Sequence, residues 1–354
     1  MTVTRKSPTI QDVAREAGVS TATVSRALST PDRVSQATRE RIEAAIAATG
    51  YTLNQAARSL RRQRAGTIVM AIPNAGNPYY SSILDSVLAE ASSRGYGVLV
   101  SNRVQGDPTV WLRDYFQSSR ADGLLLFDLT LDIASMRRFM TEHGNLPIVV
   151  VGDEMVEPGI NLVTSDNREA TGRAVEHLVG LGHRNIGFVT GPTMHDYPNE
   201  RLLGFRQAMG RNGLPLREDW IIPGDHRMDS GYRAGSAFLT LAERPTAMVC
   251  ANDEMAIGFI SRVQQAGLRC PQDVSVIGFD DTDMAQYVSP PLTTMRQKRA
   301  ELGAISTAAL LDIVEGMRDP AKPVRIILRC DLVVRSSTAP LPGAAEAPAP
   351  RLRR

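Results

Sequence analysis

The sequence predicts an α/β protein in which a small helical head precedes two lobes, each built on a doubly wound parallel sheet. Two observations predict this fold class. Within the first 50 of the 354 residues the apolar side chains follow helical spacing, whereas beyond residue 66 short apolar runs such as TIVMAIP and PIVVVGD alternate with helical segments. Such alternation is typical of parallel sheets covered by helices. About eleven such strands exceed the usual size of one sheet and indicate two.

The head, residues 1–50, is predicted to be a bundle of three helices. In TIQDVAREAG the apolar residues share one helical face, Thr9 and Asp12 form a capping pattern, and the glycine marks the end. A second helix is expected over 21–28, after a tight turn, and a third begins at the Ser35 cap. A tight turn between the first two helices is typical of the helix-turn-helix motif.

The head is basic, whereas the rest of the chain is mildly acidic. Residues 1–64 hold 11 Arg or Lys against 5 Asp or Glu, a surplus of +6, so with a net charge of +2 the remaining residues sum to −4. The second helix carries Arg26 among short hydroxyl side chains, which suits close approach to base edges in the DNA major groove. A polyanionic partner is therefore predicted. Helix caps and a solvated surface are the alternative explanation of the same residues.

Several predicted strands end in amide or carboxylate side chains. In open parallel sheets ligands bind outside the carboxyl ends of the strands, so two facing lobes would line a cleft with these groups. Fixed donors and acceptors suit a polyhydroxylated small molecule, although each residue taken singly could instead cap the following helix. The side chains concerned are Asn74, Asn102, Asp128, Asp153, Asp225, Asn252, Asp253, Asp280 and Asp281.

The sequence also argues against several other classes of protein. The N-terminus lacks an apolar leader and no stretch approaches the roughly 20 apolar residues that span a bilayer, so a cytoplasmic protein without membrane contact is expected. The three cysteines are widely spaced and are expected to be reduced and buried. GxGxxG, GxxxxGK(S/T), HExxH and GxSxG motifs are all missing. We therefore expect no enzymatic activity, no cofactor and no metal ion.

Three ordered motifs, TIQDVAREAGVSTATVSRAL, VSQATRERIEAAI and GYTLNQAARSL, resemble the N-terminus of the LacI/GalR family of bacterial transcription regulators. The resemblance continues through ERLLGFRQAM, RPTAMVCANDEMAIG, PQDVSVIGFDD and PPLTTMRQ to about residue 337. It implies a helix-turn-helix domain over 1–50, a hinge helix and linker over 51–65, and a two-lobed effector-binding domain over 66–338. Lobe 1 would comprise about 66–163 and 294–322, and lobe 2 would comprise about 164–293 and 323–338. The Pro- and Ala-rich tail, 339–354, is expected to be disordered.

The resemblance implies that the second helix reads bases, that nearby hydroxyls contact phosphates, and that the hinge helix inserts Leu60 as a wedge into the minor groove. An arginine at a guanine-reading position can donate to N7 and O6 of the same base. A wedge costs the free energy of unstacking neighbouring bases, but the bend that it causes brings more DNA into contact with the protein. For Leu60 the alternative is packing beneath the body as a linker residue. The DNA-binding set is Thr9, Ser20, Thr21, Ala22, Thr23, Ser25, Arg26, Ser35, Asn54, Ala57, Arg58, Leu60 and Arg61.

In the body the resemblance implies an effector site between the lobes. Arg201 matches an arginine that clamps the effector, and Asp280 matches a carboxylate that accepts its hydroxyl hydrogens. His226 stands where many relatives carry a stacking aromatic ring, which leaves the ligand chemistry open. The expected effector-binding set is Tyr79, Tyr80, Asp153, Arg201, His226, Asn252 and Asp280.

Together these features predict a dimeric, ligand-gated repressor of a palindromic double-stranded operator. A sugar is the first expected effector. A nucleoside or purine is the alternative, because STATVSRAL and PDRVSQATR are similar to the cytidine-responsive branch of the family. The tail lacks the leucine heptads of a tetramerising helix. A transport-type solute-binding protein and a sugar or nucleotide enzyme are the other classes, disfavoured by the missing leader, the basic head and the missing catalytic motifs.

Overall fold

The computed structural model describes residues 8–51, 64–102, 108–117, 120–127, 146–152, 159–192, 199–319 and 322–341. The chain forms two compact units, Met1–Ala65 and Gly66–Arg354. The first unit contains the helical head and the second contains two β-sheets.

The head folds as three helices, α1 (Ile10–Ala17), α2 (Thr21–Ser29) and α3 (Gln36–Thr49), as predicted. At the start of α1 the backbone N–H and the hydroxyl of Thr9 donate to the Asp12 carboxylate at 2.9 and 2.7 Å. Gly18, left-handed at φ 63°, ends the helix. Because short helices are stable only when their apolar faces pack together, the three share one core. Its buried members are Val13, Ala14, Ala17, Val24, Ile42 and Ala45.

The body is built from strands and helices that alternate along the chain. The strands are β1 (Thr67–Ile72), β2 (Gly97–Asn102), β3 (Gly123–Leu126), β4 (Ile148–Gly152), β5 (Asn161–Ser165), β6 (Ile186–Val189), β7 (Ile221–Ile222), β8 (Ala247–Cys250), β9 (Ser275–Asp280), β10 (Thr293–Arg296), β11 (Arg325–Leu328) and β12 (Asp331–Val333). The helices are α4 (Tyr79–Ser93), α5 (Pro108–Gln117), α6 (Asn167–Gly180), α7 (Glu200–Arg211), α8 (Met228–Thr240), α9 (Asp253–Gln265) and α10 (Arg299–Val314).

The strands form two six-stranded sheets, which define the two lobes. Sheet 1, in lobe 1, has the order β11-β5-β4-β3-β1-β2, and sheet 2, in lobe 2, has the order β12-β10-β9-β8-β6-β7. Neighbouring strands are parallel except β10 and β12. The central strands β3, β8 and β9 are buried throughout, as expected for parallel strands covered on both faces. The predicted α/β architecture is thus confirmed.

The chain passes between the lobes three times: after β5, after β10, and between β11 and β12. The predicted lobe boundaries are wrong at two of these crossings. Strand β10 pairs with β9 and lies in lobe 2, although lobe 1 was expected to resume at 294. Strand β11 pairs with β5 in lobe 1, although 323–338 was expected in lobe 2. Both assignments depend on pairing between distant parts of the chain, which local composition does not encode.

The end of the body is packed beyond the predicted boundary at 339. The Ala339 N–H donates to Ser275 Oγ at 3.1 Å, and the Leu341 N–H donates to the Leu181 carbonyl at 2.9 Å. The tail prediction is therefore wrong for residues 339–341, because their backbone groups find partners on lobe 2. Residues 342–354 lie outside the described part of the chain.

Each lobe has an apolar core of its own. In lobe 1, α4 and α10 cover one face of sheet 1 and α5 covers the other. In lobe 2, α6 packs on α7 and α8 packs on α9. Cys250, Cys270 and Cys330 are buried and free, as predicted.

The contact between α8 and α9 is close enough to exclude a side chain at Gly258. A Cβ added there would overlap the Met228 carbonyl oxygen. We expect Gly258→Ala to lower the free energy of unfolding by about 3 kcal/mol, because the obstruction is backbone and the helices must separate. Gly210→Ala in α7 is the control, since its Cβ would enter open space and should stabilise by about 0.5 kcal/mol. Urea unfolding measures both, and equal effects would contradict the close approach.

Candidate functional site

One face of the head presents the residues predicted to read bases. Thr21, Ala22 and Arg26 are exposed on α2, and Ser25 is half-buried beside them. They line a single groove together with residues of α1. A helix that displays a cation and short polar side chains along one groove has the chemistry to meet base edges. The groove is lined by Ile10, Gln11, Thr21, Ala22, Ser25, Arg26 and Thr30.

The hydroxyls predicted to contact phosphates also have structural partners within the head. Ser20 Oγ accepts the N–H of Thr23 at 3.1 Å and lies 2.8 Å from its hydroxyl oxygen. The hydroxyl of Ser35 lies 2.9 Å from that of Thr38, and Thr9 donates within its own cap. The capping explanation is therefore correct for Thr9 and Ser20. A hydroxyl can accept and donate at once, so the Ser20 cap does not exclude a phosphate contact if Thr23 is the donor in their hydroxyl pair.

Sequence reasoning missed Gln11 in this groove. Its side chain is exposed on α1, opposite the buried residues Val13, Ala14 and Ala17. The helical spacing of those apolar residues already predicts that Gln11 faces away from the core.

The predicted hinge-helix residues have no described position. Asn54, Ala57, Arg58, Leu60 and Arg61 lie outside the described residues and stay predictions.

In the body, Arg201 and Asp280 are brought together at the carboxyl ends of the strands of sheet 2. Arg201 lies in the first turn of α7, and its Nη1 is 3.7 Å from Asp280 Oδ1. Its Nε donates to Asn167 Oδ1 at 2.9 Å, and Nη1 also donates to the Ala251 carbonyl. The guanidinium carbon lies 3.8 Å from the Phe279 ring centroid. A cation held from four sides offers donors in fixed directions.

Gln297, which sequence reasoning also missed, joins this cluster to lobe 1. It is buried and directly follows β10. Its Oε1 accepts the hydroxyls of Ser165 at 2.7 Å and Tyr79 at 3.3 Å, and its Nε2 donates to Asp280 Oδ1 at 2.7 Å. Tyr79 and Ser165 belong to lobe 1, whereas Asp280 belongs to lobe 2. The polar strand-end argument, applied to β10 as to the other strands, would have found Gln297.

The two predicted tyrosines occupy different environments. Tyr79 is buried and Tyr80 is half-buried. Their ring centroids are 5.0 Å apart in an edge-to-face arrangement, and Tyr80 meets Phe127 at 5.8 Å in the same way. Tyr79 therefore combines core packing with a hydrogen bond from its hydroxyl to Gln297. Tyr80 keeps part of its surface exposed.

Asn252 acts within the structure as a cap and a support. Its Oδ1 accepts the Met255 N–H at 3.0 Å, and its Nδ2 donates to the His226 carbonyl at 3.0 Å. The capping explanation is therefore correct for Asn252, which is buried and supports His226 through its amide. Asp153, the remaining predicted pocket residue, lies outside the described residues.

His226 lies against the glycine that follows β6. Its backbone has φ 66°, and a Cβ added at Gly191 would overlap its Nε2. Burial, followed by the charge of Arg201, lowers the pKa of His226 to about 3, while Asp225 opposes the shift. The imidazole is therefore neutral near pH 7. It presents one donor and one acceptor on a planar ring.

The lowered pKa of His226 gives a testable pH dependence of stability. An unfolded imidazole titrates near pH 6.5, so on acidification the unfolded chain binds this proton first. The contribution of His226 is complete above about pH 6.5 and is lost as the pH falls towards 3. We expect the free energy of unfolding to fall more steeply from pH 7 to 5 in the wild type than in His226→Asn, in which asparagine tolerates the positive φ. The other histidines are present in both proteins. Equal slopes of unfolding free energy against pH would therefore contradict the lowered pKa of His226.

Within the described ranges, His, Cys, Asp and Glu side chains form no group of three or more that could hold a metal ion. None of the helices there is long and apolar enough to cross a membrane.

Two family models match the chain. Residues 9–54 match bacterial regulatory proteins of the lacI family, and residues 175–338 match the periplasmic binding protein-like domain. The two matches follow the order predicted from the sequence motifs.

Similar proteins cover nearly the whole chain. The HTH-type transcriptional repressor CytR of Escherichia coli (strain K12) is 36% identical over 337 residues, which is 94% of this chain and 97% of that protein. The structure of the lac repressor dimer bound to operator and the anti-inducer ONPF is 32% identical, with a TM-score of 0.84, over 94% of this chain and all of that one. The complex of the transcriptional regulator CelR with cellobiose is 30% identical, with a TM-score of 0.70, over 93% and 99% of the two chains.

Proposed function

The chain belongs to the LacI family of bacterial regulatory proteins and is a ligand-responsive, DNA-binding transcription regulator, and we propose that it is a homodimeric repressor of sugar-uptake or catabolic genes. Its ligand would bind between the lobes, and as a DNA-binding regulator it would act in the cytoplasm, without turning over its ligand. The observation that supports this site best is the convergence of Arg201, Gln297 and Asp280 at the strand ends.

The chemistry of the cleft favours a polyhydroxylated ligand. The Asp280 carboxylate accepts hydroxyl hydrogens, whereas Arg201 and Gln297 donate to hydroxyl oxygens. Tyr80 and His226 would cover a ring face or contact its edge. The similar regulator CelR was solved with cellobiose, a sugar of this type. A sugar is therefore the first proposal for the ligand.

A nucleoside or purine is the second candidate, and His226 is the observation that favours it. A neutral imidazole with one donor and one acceptor can pair with the edge of a base as well as with a hydroxyl. The ribose of a nucleoside would still offer hydroxyls to Asp280. The sequence of the head, similar to the cytidine-responsive branch, points the same way.

A thermal-shift panel distinguishes the candidates. A ligand that binds only the folded state raises the melting temperature, by RT ln(1 + [L]/Kd) in free energy. We would test D-ribose, cellobiose, sugar phosphates, cytidine, adenosine and purine bases. A shift with sugars alone supports the first candidate, and a shift with cytidine, adenosine or purines supports the second. If none raises the melting temperature, both ligand classes are wrong.

For the DNA-binding function, we propose that Thr21, Ala22, Ser25 and Arg26 contact bases in each half of a palindrome. The test is selection of operator sequences from random duplexes, followed by gel shift at several salt concentrations. A palindromic consensus bound with a steep salt dependence is expected, since phosphate contacts release counterions. Binding that ignores sequence would contradict the proposal.

The dimer is proposed from an apolar surface on lobe 1. On the edge strand β2, Val100 (46% exposed) pairs with Met70 and so lies on the face of sheet 1 that α4 covers, and α4 itself exposes Leu88 (43%). An edge strand with neighbouring apolar side chains invites pairing with another chain. A second copy of this chain fits because a palindromic operator requires two heads.

Val100→Glu is expected to convert the dimer to a monomer and to weaken operator binding about 100-fold or more, because two linked heads bind far better than one. Sedimentation and gel shift measure the two effects. Val110→Glu is the control, since Val110 is an exposed apolar residue on α5, outside this surface. A Val100→Glu protein that stays dimeric would place the interface elsewhere.

A further inference from the structure

The turn that carries Asp280 has an unusual backbone. Asp280 and Asp281 are consecutive and have φ values of 115° and 53°. Residues with a side chain rarely adopt positive φ, and two in succession persist only where surrounding contacts hold them. The residue that holds this turn therefore affects where the Asp280 carboxylate lies.

Asp253 is positioned to be that residue. It is fully buried at the start of α9. Its Oδ2 accepts both the backbone N–H of Thr282 at 2.7 Å and the Thr282 hydroxyl at 3.1 Å. Its Oδ1 accepts the hydroxyl of Thr294, in β10, at 2.6 Å. One carboxylate thus ties the residue after the turn to the neighbouring strand.

The two aspartates of the turn face different parts of the body. Asp280 meets Gln297 and Arg201 in the cleft. Asp281 accepts Arg296 Nε at 2.6 Å and Arg335 Nη2 at 2.6 Å. Arg296 ends β10 at a crossing between the lobes. Movement of the turn would therefore displace the cleft carboxylate and the ion pairs at the crossing together.

Simple packing does not account for a carboxyl group at position 253. Burial and the charge of Asp280 raise its pKa, while the hydrogen bonds from Thr294 and Thr282 lower it. An apolar residue would avoid this unfavourable environment but would leave the Thr282 N–H without an acceptor. What the carboxylate contributes is its set of directed hydrogen bonds to the turn.

We propose that Asp253 is the positioning residue of the ligand cleft: through Thr282 it holds the Asp280–Asp281 turn in its left-handed form and so places the Asp280 carboxylate for ligand. The proposal depends on the proposed function only in taking Asp280 as the ligand acceptor. The conformation of the turn can be measured without any ligand.

The experiment combines hydrogen exchange with a double-mutant cycle. Exchange on peptides spanning 278–288 is followed by mass spectrometry in the full-length wild type, Asp253→Ala, Asp281→Gly and the double variant. Glycine adopts positive φ without strain, so a turn with glycine at 281 needs less support. Glu200→Ala is the matched control, because it removes another buried carboxylate of lobe 2, one that pairs with Arg168 at 2.6 Å rather than with Thr282 or Thr294.

We expect Asp253→Ala to raise exchange in this peptide about tenfold and Glu200→Ala to leave it unchanged. In the Asp281→Gly background the effect of Asp253→Ala should largely disappear. Asp253→Asn should stay near wild type, because its Oδ1 can accept from Thr282 and its Nδ2 can donate to Thr294. An equal effect of Asp253→Ala in both backgrounds, or unchanged exchange, would overturn the proposal.

If Asp253→Ala does not fold, Thr294→Val decides, since it removes only the support of Oδ1. It should raise exchange in the same peptide about threefold, and unchanged exchange would overturn the proposal. Titrations with D-ribose, cellobiose and cytidine form a second readout. Asp253→Ala should weaken about tenfold whichever of these the wild type binds. Wild-type protein that binds none of them contradicts the proposed ligand classes, while the exchange result still decides the role of Asp253.

Discussion

Arg26→Ala is expected to weaken specific operator binding about 100-fold and to relax the preference at one base pair in each half-site. Arginine contacting guanine N7 and O6 discriminates by about 1–3 kcal/mol, and the proposed dimer would lose that contact twice. The side chain is exposed, and the Arg26 carbonyl, which accepts the Thr30 N–H at 2.8 Å, is unaffected. The melting temperature should therefore stay close to that of the wild type. Fluorescence anisotropy on the selected operator and on single-base variants measures the change.

The control for Arg26 is Arg15→Ala. It removes the same charge from the head, but Arg15 lies outside the groove that Arg26 lines and pairs with Asp12 at 3.3 Å. It should lower affinity slightly and equally for all sequences, because a distant cation contributes only to the general field. If Arg26→Ala and Arg15→Ala each lower the affinity equally for every operator with a single-base change, Arg26 contacts phosphate and its proposed contact with a base is wrong.

The head was predictable because its structure depends on neighbours in sequence. The Thr9–Asp12 cap, the left-handed Gly18 and the Ser20 cap before α2 are all contacts within four residues. Amphipathic spacing then predicts which faces pack. What the sequence could not separate is capping from phosphate contact at Ser20, since one hydroxyl has the chemistry for both.

The body was predictable in its class but not in its crossings. Polar strand ends led to Asp280 and Asn252, because parallel strands share one direction and their carboxyl ends meet at one edge. Placing β11 in lobe 1 requires its pairing with β5, which no local pattern reveals. Asp253 illustrates the same limit. The strand-end pattern places Asp253 with the cleft residues, and only the fold shows that its carboxylate meets Thr282 and Thr294.

Ligand response requires that the two lobe arrangements bind the ligand with different affinity. Gln297 is a place where such a difference can arise, since its hydrogen-bond partners lie in both lobes. A ligand that displaces or reinforces these hydrogen bonds changes the free energy of the interlobe contact directly. Residues that contact the ligand from one lobe only would alter affinity without altering the lobe arrangement.

Arg201→Met is expected to abolish ligand response while leaving operator binding without ligand within about threefold, because the head is untouched. Methionine keeps much of the length of the side chain but removes the donors to Asn167, Ala251 and Asp280. Losing a charged donor in a buried site should weaken ligand binding about 100-fold or more. The buried Asp280 carboxylate also loses its cation, so unfolding free energy should fall by about 3 kcal/mol.

Arg206→Met is the matched control for Arg201→Met, because it removes a guanidinium from the same helix, α7, where Arg206 pairs with Glu218 at the surface. It should change ligand binding less than twofold and stability by less than about 1 kcal/mol, as for exposed ion pairs. Thermal shift with D-ribose, cellobiose and cytidine, and gel shift with and without each, measure both variants. Wild-type ligand affinity in a folded Arg201→Met protein would show that the ligand does not contact Arg201, and would move the site away from the strand ends of lobe 2.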